Sequence, residues 1–428
     1  MNARQFFLSC MLLWLLVSPG WGQPLPSLRL EEAYDLLEQH YPKLGDTTLI
    51  RQMEAAELAL TKLDRLPDIR LRGDGRLQST STQLKTDNPM LDFEINQPLV
   101  NIKAYLEADY RLLDGGYQTV RQSLIQLEKA VDQGSLEVQR FALRKIINQL
   151  FLRIQTLRAQ EALFALSLAN IEARSEQVTA AIRQGTVLES ELTKLRVQKL
   201  DLEAQRDNLT YQIEGARQTL ADWLGVSLAE DVALILPDLS PSGLSKEINR
   251  PELELFEQQK AVVLAQAELI DIELKPKLNV FAQAGVGYPN PLNILDNKVA
   301  PYGLLGAGFT WTIKDWDKTE KQKALISMQA QRIDHAAQTF TFQLEKQSAA
   351  YRADMARLNQ QIGRQESIVV LQKQLLRQLA TQLEEGVNTA TDYLLQVNAE
   401  LAARQKIVIL RAEQQAIQLH YWNERGAF

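Results

Sequence analysis

The stretch DIRLRGDGRLQS, residues 68–79, alternates between two kinds of side chain. Its even positions are polar and mostly charged: Asp68, Arg70, Arg72, Asp74, Arg76 and Gln78. Its odd positions as far as Leu77 carry only Ile, Leu or Gly. A period of two predicts a β-strand with two unlike faces. The charged face either meets solvent on a soluble sheet or lines a water-filled interior.

Three further segments repeat this alternation. Even positions are apolar over 98–112 and 278–288, and odd positions are apolar over 303–313. Each run has about the ten residues of a tilted strand in an outer-membrane barrel. Four aromatic residues lie towards the strand ends and fit either an interfacial girdle or ordinary strand formers: Tyr288, Tyr302, Phe309 and Trp311. The glycines of RGDGR and PYGLLGAG are predicted to mark bends or close contacts within the wall.

Four strands are too few to close a barrel. An open sheet edge cannot lie in lipid, because its backbone groups would have no hydrogen-bond partners. A chain that spans a membrane with these strands must therefore oligomerise. The alternative is a soluble antiparallel sheet with one solvated face, but the sequence offers no second apolar layer for that sheet to pack on.

The N-terminal residues 1–22 predict a secretory signal peptide. Arg4 precedes an apolar run over 6–17, and the helix breaker Pro19 follows it. The run is too short to span a membrane as a helix. Cys10 is the only cysteine and lies inside this segment, so the mature chain should carry no disulfide and no lipid on sulfur.

Long helical stretches separate the strand pairs, and they are repeated. An apolar heptad seam runs through Leu143, Ile147, Leu150, Ile154, Leu157, Phe164, Leu168, Ile171, Val178 and Ile182, with two interruptions at Glu161 and Ser175. The seam recurs 201 residues later, and the same offset takes Asp114 to Asp315. Upstream of the strands the offset is 209, from Pro42 to Pro251. The halves are therefore duplicates that differ by eight residues in the strand–loop–strand region of the first.

Each half is predicted as helix, strand, loop, strand, very long helix, tight turn and helix. The first repeat covers 23–225, with strands at 67–82 and 97–113 and a helical hairpin over 118–224. The second covers 251–428, with strands at 276–289 and 301–313 and a hairpin over 318–424. The segment 226–250 breaks the heptads, is rich in Pro, Ser and Gly, and is predicted to be an equatorial linker without chemistry. The first long helix would measure about 100 Å.

This order of motifs resembles the outer-membrane efflux proteins of the TolC family. The resemblance rests on the two repeats, on NRPEL and LLDGG, and on the paired turns RQGTVLESEL and EEGVNTATDYL. It implies an α+β membrane protein of a Gram-negative bacterium, a homotrimer whose twelve strands form one β-barrel in outer-membrane lipid and whose helices continue it through the periplasm. It further implies a passive conduit in a tripartite efflux or type I secretion system, docked to a periplasmic adaptor (membrane fusion) protein and an inner-membrane pump of RND or ABC type.

In such a channel the polar strand faces would line the lumen. The lumen-facing residues are expected to be Arg70, Arg72, Asp74, Arg76, Lys103, Glu107, Asp109 and Arg111. Their charges are of both signs, so they favour no single class of transported ion.

The two turns between the long helices are expected to form the periplasmic tips that meet the adaptor: Gly185, Thr186, Gly386 and Val387. Six residues after each glycine stands an acid, Glu191 or Asp392, matching the acids that line the periplasmic entrance in TolC-like channels. Asp392 also fits a capping box with Thr389. Leu383 and Asn388 stand where some family members have the Tyr and Arg that latch the entrance, so closure is expected to rest on seam packing or to be looser.

No constellation for catalysis, cofactor binding or metal binding is found. The three histidines, His40, His335 and His420, are scattered without metal-ligand spacing, and no phosphate-binding glycine loop or nucleophile elbow is present. A net charge of −6 without a basic stripe gives no reason to expect a nucleic-acid partner. The stronger rival is a periplasmic or surface coiled-coil stalk without a pore, which would account for the helices but not for the strands.

Overall fold

A computed structural model describes residues 24–81, 83–85, 94–237, 248–293, 295–385 and 387–426. The predicted signal peptide and residues 238–247 of the predicted linker lie outside these ranges. The chain divides into two compact units. The first contains the described parts of Met1–Asp46, Leu136–Leu253 and Thr339–Phe428. The second contains those of Thr47–Ser135 and Glu254–Gln338.

The first repeat opens with β1 (Leu25–Arg29), α1 (Leu30–His40), a 3-10 turn (Pro42–Gly45) and α2 (Asp46–Leu63). Four strands follow: β2 (Asp68–Leu77), β3 (Gln83–Lys85), β4 (Glu94–Asn96) and β5 (Val100–Leu113). Two helices complete it: α3 (Tyr117–Arg183) and α4 (Glu189–Leu224). The short β3–β4 pair lies in the loop where this repeat has its extra residues.

After the strand β6 (Leu228–Ile235), the second repeat contains α5 (Pro251–Glu273), β7 (Lys277–Tyr288), β8 (Ala300–Thr310), α6 (Lys318–Glu384) and α7 (Ala390–Arg425). Helices α3 and α6 each have 67 residues, and α4 and α7 each have 36. α6 begins and ends 201 residues after α3, and α7 begins and ends 201 residues after α4, which is the offset seen in the sequence. None of the helices in the described ranges is both long and apolar enough to cross a membrane.

The aspartate shared by LLDGG and IKDWD begins the long helix of each repeat. Asp114 accepts hydrogen bonds from the backbone N–H of Gly116 at 2.8 Å and of Gln118 at 3.1 Å. Asp315 accepts one from the N–H of Thr319 at 2.9 Å. Hydrogen bonds from the hydroxyl and the N–H of Thr319 lower the pKa of Asp315. Both carboxylates thus satisfy N–H groups that a helix start leaves unpaired.

The second unit contains a four-stranded antiparallel sheet of order β2–β5–β7–β8. Strands that follow one another in the chain are neighbours in this sheet. A short hairpin loop connects β7 to β8, whereas the connection from β5 to β7 contains helices α3, α4 and α5. Strands β2 and β8 are its two edges.

The core of the first unit is built on the heptad seam. Ile147, Ile154 and Ile171 of α3 belong to this seam, whose members are three or four residues apart, and all three side chains are fully buried. One cluster joins α1, α3, α4 and the pair β1–β6, and a second runs along the hairpins from Leu157 to Leu401. The apolar period of about 3.5 residues therefore places the helices side by side, as the sequence predicts.

Part of the predicted linker is a strand. β6 pairs in parallel with β1, and its residues Leu228, Val232 and Leu234 are buried. The carbonyls on its other edge accept hydrogen bonds from helix side chains: Gln155 to Leu234 O at 2.8 Å, Arg158 to Glu230 O at 2.8 Å, and Arg217 to Leu228 O. These contacts occupy the edge that would otherwise be open to another strand.

Candidate functional site

The charged residues of the sheet share one face. Directly opposite residues of antiparallel strands point to the same side, and Arg70 lies opposite Glu107 while Asp74 lies opposite Lys103. The same register places all eight residues predicted to line the lumen on this face, which we call the polar face. Arg72 Nε lies 3.4 Å from Glu107 Oε2, so part of the charge is balanced across strands.

The opposite face is apolar and exposed. Its large side chains are between 48% and 78% exposed: Ile69, Leu71, Leu77, Ile102, Leu106, Val286, Leu305 and Phe309. Single exposed apolar residues are common, but a contiguous apolar surface marks contact with another molecule or with lipid.

The polar face of β7 and β8 carries aromatic rings packed over glycines. A Cβ on Gly306 would lie 2.4 Å from Phe281 Cζ, so the phenyl ring covers that glycine. Gly285 lies opposite both Tyr105 and Tyr302, whose ring centroids are 6.3 Å apart. Tyr302 therefore faces the polar side, and the interpretation of it as part of an outward girdle is wrong.

Tyr105 links this aromatic cluster to the charges. Its hydroxyl donates a hydrogen bond to Asp74 Oδ2 at 2.9 Å. Gln283 Nε2 donates to Glu107 Oε2 at 3.3 Å from the neighbouring strand. The alternation of the sequence predicts the faces of the strands but not these cross-strand contacts, which depend on register.

The turn between α3 and α4 ends its helix with a left-handed glycine. Gly185 has φ of 73°. Its N–H donates to Ile182 O at 2.9 Å, and the N–H of Thr186 donates to Ala181 O at 3.1 Å. These two bonds form the Schellman motif. The Thr186 hydroxyl bonds the same Ala181 carbonyl at 3.0 Å.

The turn between α6 and α7 repeats part of this pattern. The N–H of Val387 donates to Gln382 O at 2.9 Å, the counterpart of the bond from Thr186. Gly386 lies outside the described residues. Leu188 and Val387 are each 74% exposed, so both turns present apolar side chains to the surroundings.

The two predicted entrance acids have different surroundings. Glu191 Oε1 accepts from Lys194 Nζ at 2.8 Å, and that ammonium also donates to Thr391 Oγ1 at 2.8 Å. Asp392 is exposed, accepts from the Thr389 hydroxyl at 2.6 Å, and its N–H donates to Thr389 Oγ1 at 3.2 Å. Thr389 therefore caps α7, whereas its own N–H donates to Asn388 Oδ1 at 2.9 Å, so only the Thr389 half of the expected capping box is observed. Glu191 is partly neutralised by a lysine.

Arg174 joins three helices near the turns, and no sequence motif predicted it. It is 4% exposed, and its guanidinium donates to Glu384 Oε1 at 2.9 Å and to Ala380 O at 3.2 Å, both on α6. It also lies 5.3 Å from the ring centroid of Tyr393 on α7. Burial raises the pKa of the Tyr393 phenol, which keeps the ring neutral beneath the cation. The seam interruption at Ser175, next to Arg174, was the one signal in the sequence.

Within the described ranges, no group of three or more His, Cys, Asp and Glu side chains could hold a metal ion. No protein-family model matches the sequence. No curated protein matches it either.

Solved structures of outer-membrane channels match the fold over nearly the whole chain. The outer membrane protein VceC of Vibrio cholerae is 14% identical, with 93% of this chain and 96% of that chain covered and a TM-score of 0.64. The CmeC outer membrane channel of Campylobacter jejuni is 14% identical, with 93% and 85% covered and a TM-score of 0.63. The open MtrE outer membrane channel of Neisseria gonorrhoeae is 14% identical, with 93% and 89% covered and a TM-score of 0.65. The chain therefore has the fold of these outer-membrane channels.

Proposed function

We propose that this protein is the outer-membrane channel subunit of an efflux system and conducts substrates along the polar face of its sheet. The proposal rests on the difference between the two faces of the sheet. Every charged residue of its four strands lies on the polar face, while the other face exposes branched aliphatic and aromatic side chains. A wet interior and a lipid exterior are the environments that such alternation suits.

The sheet edges support assembly into a homotrimer. Strands β2 and β8 have no partner on their outer sides within the described sheet, and an edge in lipid must be paired. Pairing β2 of one copy with β8 of the next closes a ring, and three copies, the number implied by the resemblance to TolC-type channels, give twelve strands. Exposed apolar side chains on α2 and α6, which adjoin these edges in the chain, suit the same interface: Leu49, Met53, Leu60, Leu63, Leu325 and Met328.

The partners proposed for the turns are a periplasmic adaptor and, beyond it, an inner-membrane pump of RND or ABC type. The exposed Leu188 and Val387 support an apolar contact at the turns. The channel itself would be passive, so the pump would select the substrate, whether in efflux or in type I secretion.

Deleting the gene tests the proposed function. In a strain without redundant channels, deletion should sensitise cells to the substrates of a pump, such as drugs, dyes, detergents or metal ions. Expression of the intact chain should restore resistance. Unchanged susceptibility across all four classes would contradict the proposal.

Gly185 provides a test of the adaptor contact. Gly185→Val should impair export while trimers still reach the outer membrane, because a β-branched residue strains a left-handed turn by roughly 1–2 kcal/mol. Gly185→Asn is the matched control, since Asn tolerates this backbone conformation and no atom lies within 4 Å of the position that its Cβ would take. Susceptibility assays and adaptor cross-linking measure the effect. Equal export by both variants would argue against a role for this turn in docking.

The entrance acids are expected to contribute unequally to ion selectivity. Asp392→Asn should reduce cation selectivity in planar bilayers more than Glu191→Gln, because Lys194 already offsets the charge of Glu191. Both replacements preserve size and much of the hydrogen bonding. If the double variant forms intact trimers with the selectivity of the wild type, the two acids act only at helix starts.

A further inference from the structure

Basic side chains outnumber acidic ones on the polar face of the sheet. Lys277 belongs to this face as well, because it lies two residues before Asn279, which stands opposite Arg111. The face therefore carries two more positive than negative charges per chain, whereas the whole chain has a net charge of −6. The basic members are Arg70, Arg72, Arg76, Lys103, Arg111 and Lys277, and the acidic members are Asp68, Asp74, Glu107 and Asp109.

Three of the four acidic side chains are bound by neighbours on the same face. Asp68 forms an ion pair with Arg70 of its own strand. Glu107 Oε2 lies 3.4 Å from Arg72 Nε across the strands. Asp74 Oδ2 accepts a hydrogen bond from a tyrosine hydroxyl of β5 at 2.9 Å. The sequence alone shows charges of both signs, but these contacts leave little of the negative charge uncompensated.

Four basic side chains form no ion pair with any residue that the structure describes: Arg76, Lys103, Arg111 and Lys277. Arg76 and Lys103 lie at the end of the sheet that carries the hairpin from β7 to β8. Arg111 and Lys277 lie at the other end, where β7 begins. The two ends are about 26 Å apart along β5 at roughly 3.3 Å per residue. Apart from Asp109, the charge outside ion pairs and hydrogen bonds is therefore positive, and it stands at both ends of the face.

We propose that the two ends of the polar face bind organic anions, so that the channel itself favours anionic substrates over cationic ones. The inference rests on the proposed function, because the bases of several copies surround one lumen only if the sheet closes into a ring. Charge in a narrow lumen with a low-dielectric wall focuses potential on a permeating ion. Arginine also offers a planar fork that fits carboxylate and phosphate groups. Two weak sites let an anion enter at one end and leave from the other, as conduction requires.

Block of single-channel current tests the proposal. Full-length protein is inserted into planar bilayers, and inositol hexakisphosphate is added on the side opposite to the protein, so that it reaches the Arg76 end of the sheet first. The hexakisphosphate should block the wild type, whereas uncharged inositol should not. Arg76→Gln combined with Lys103→Gln should weaken the block roughly tenfold, because focused positive charge is lost. Asp74→Asn should strengthen it, because this change removes the negative charge opposite Lys103 and keeps an oxygen for the tyrosine hydroxyl.

Arg153→Gln supplies the control for the loss of an arginine. Arg153 is exposed on α3 in the first unit, so this variant should be blocked like the wild type. Higher salt should weaken the block of the wild type itself, a result that does not depend on the folding of any variant.

Conductance separates the outcomes. Conducting wild-type channels that the hexakisphosphate does not block, or a block that neither salt nor the variants of the sheet change, would overturn the anion sites and leave the channel standing. Heat-resistant trimers that show no conductance would overturn the proposed function as well.

Discussion

Under the proposed function, Gly285→Ala is expected to abolish the heat-resistant oligomer in outer-membrane fractions. A Cβ at this position would lie 2.2 Å from the carbonyl oxygen of Ala104 and 2.5 Å from the Cα of Tyr105. Both atoms belong to the backbone of β5, so no side-chain rotation can relieve the overlap. β5 and β7 would have to separate in the middle of the sheet, and each hydrogen bond lost in lipid costs several kcal/mol because no water replaces it.

Gly308→Ala is the matched control for this substitution. Gly308 lies on the same polar face, in β8, and no atom lies within 4 Å of the Cβ that alanine would add. Both variants lose the same conformational freedom of glycine, so a difference between them reports the close approach of strands. Gel migration with and without heating measures the oligomer. Wild-type amounts of heat-resistant oligomer in Gly285→Ala would contradict the strand packing described above.

The sequence predicted the strands and their faces because alternation is a local property. It predicted close contacts at the strand glycines only in general terms. Gly306 in PYGLLGAG does carry a ring above it, whereas Gly75 in RGDGR has no atom within 4 Å of a Cβ position. The difference depends on which residue of the neighbouring strand stands opposite. Register joins residues up to about two hundred positions apart, so no local pattern contains it.

The strand β6 was missed for a related reason. Its residues alternate over only a few positions, and its partner β1 lies near the other end of the repeat. The Pro, Ser and Gly residues that mark a linker lie mostly after Ile235. Composition averaged over 226–250 therefore concealed a strand whose stability comes from buried Leu228 and Val232 and from helix side chains that bond its free edge.

Arg174 shows the same limit at the candidate site. Charged residues beside a heptad seam usually lie on a solvated face. Arg174 is buried because it binds Glu384, which lies 210 residues further along the chain and cannot be identified from the local sequence. Because Leu383 and Asn388 stand where some family members have the latching Tyr and Arg, the sequence suggested either closure by seam packing alone or a looser closure. In the structure Leu383 is buried in the hairpin core, and a different arginine and tyrosine, Arg174 and Tyr393, contact each other across α3 and α7.

Arg174→Ala is expected to loosen the contact of α3 with α6 and α7. Charge-assisted hydrogen bonds to Glu384 and the carbonyl of Ala380 would be lost, together with the cation above Tyr393. Glu384 is 53% exposed and would be solvated, so we expect a loss of about 2–3 kcal/mol rather than the larger cost of an isolated buried charge. Arg174 lies about 14 Å before the end of α3. Under the proposed function, the entrance should therefore open more readily and single-channel conductance should rise.

Three control variants separate the contributions of charge, geometry and ring. Arg174→Lys keeps the charge, but a single ammonium group cannot replace the planar guanidinium that donates to both Glu384 and the Ala380 carbonyl. Its conductance should therefore fall between those of Arg174→Ala and the wild type. Tyr393→Phe keeps the ring beneath the cation and should resemble the wild type. Arg183→Ala removes an exposed arginine from the same helix and should change neither conductance nor melting temperature. If Arg174→Ala matches the wild type in both measurements, the remaining contacts suffice to hold these helices together; they include the apolar cluster from Leu157 to Leu401 and the bond from Gln396 Nε2 to Gln372 O at 3.0 Å.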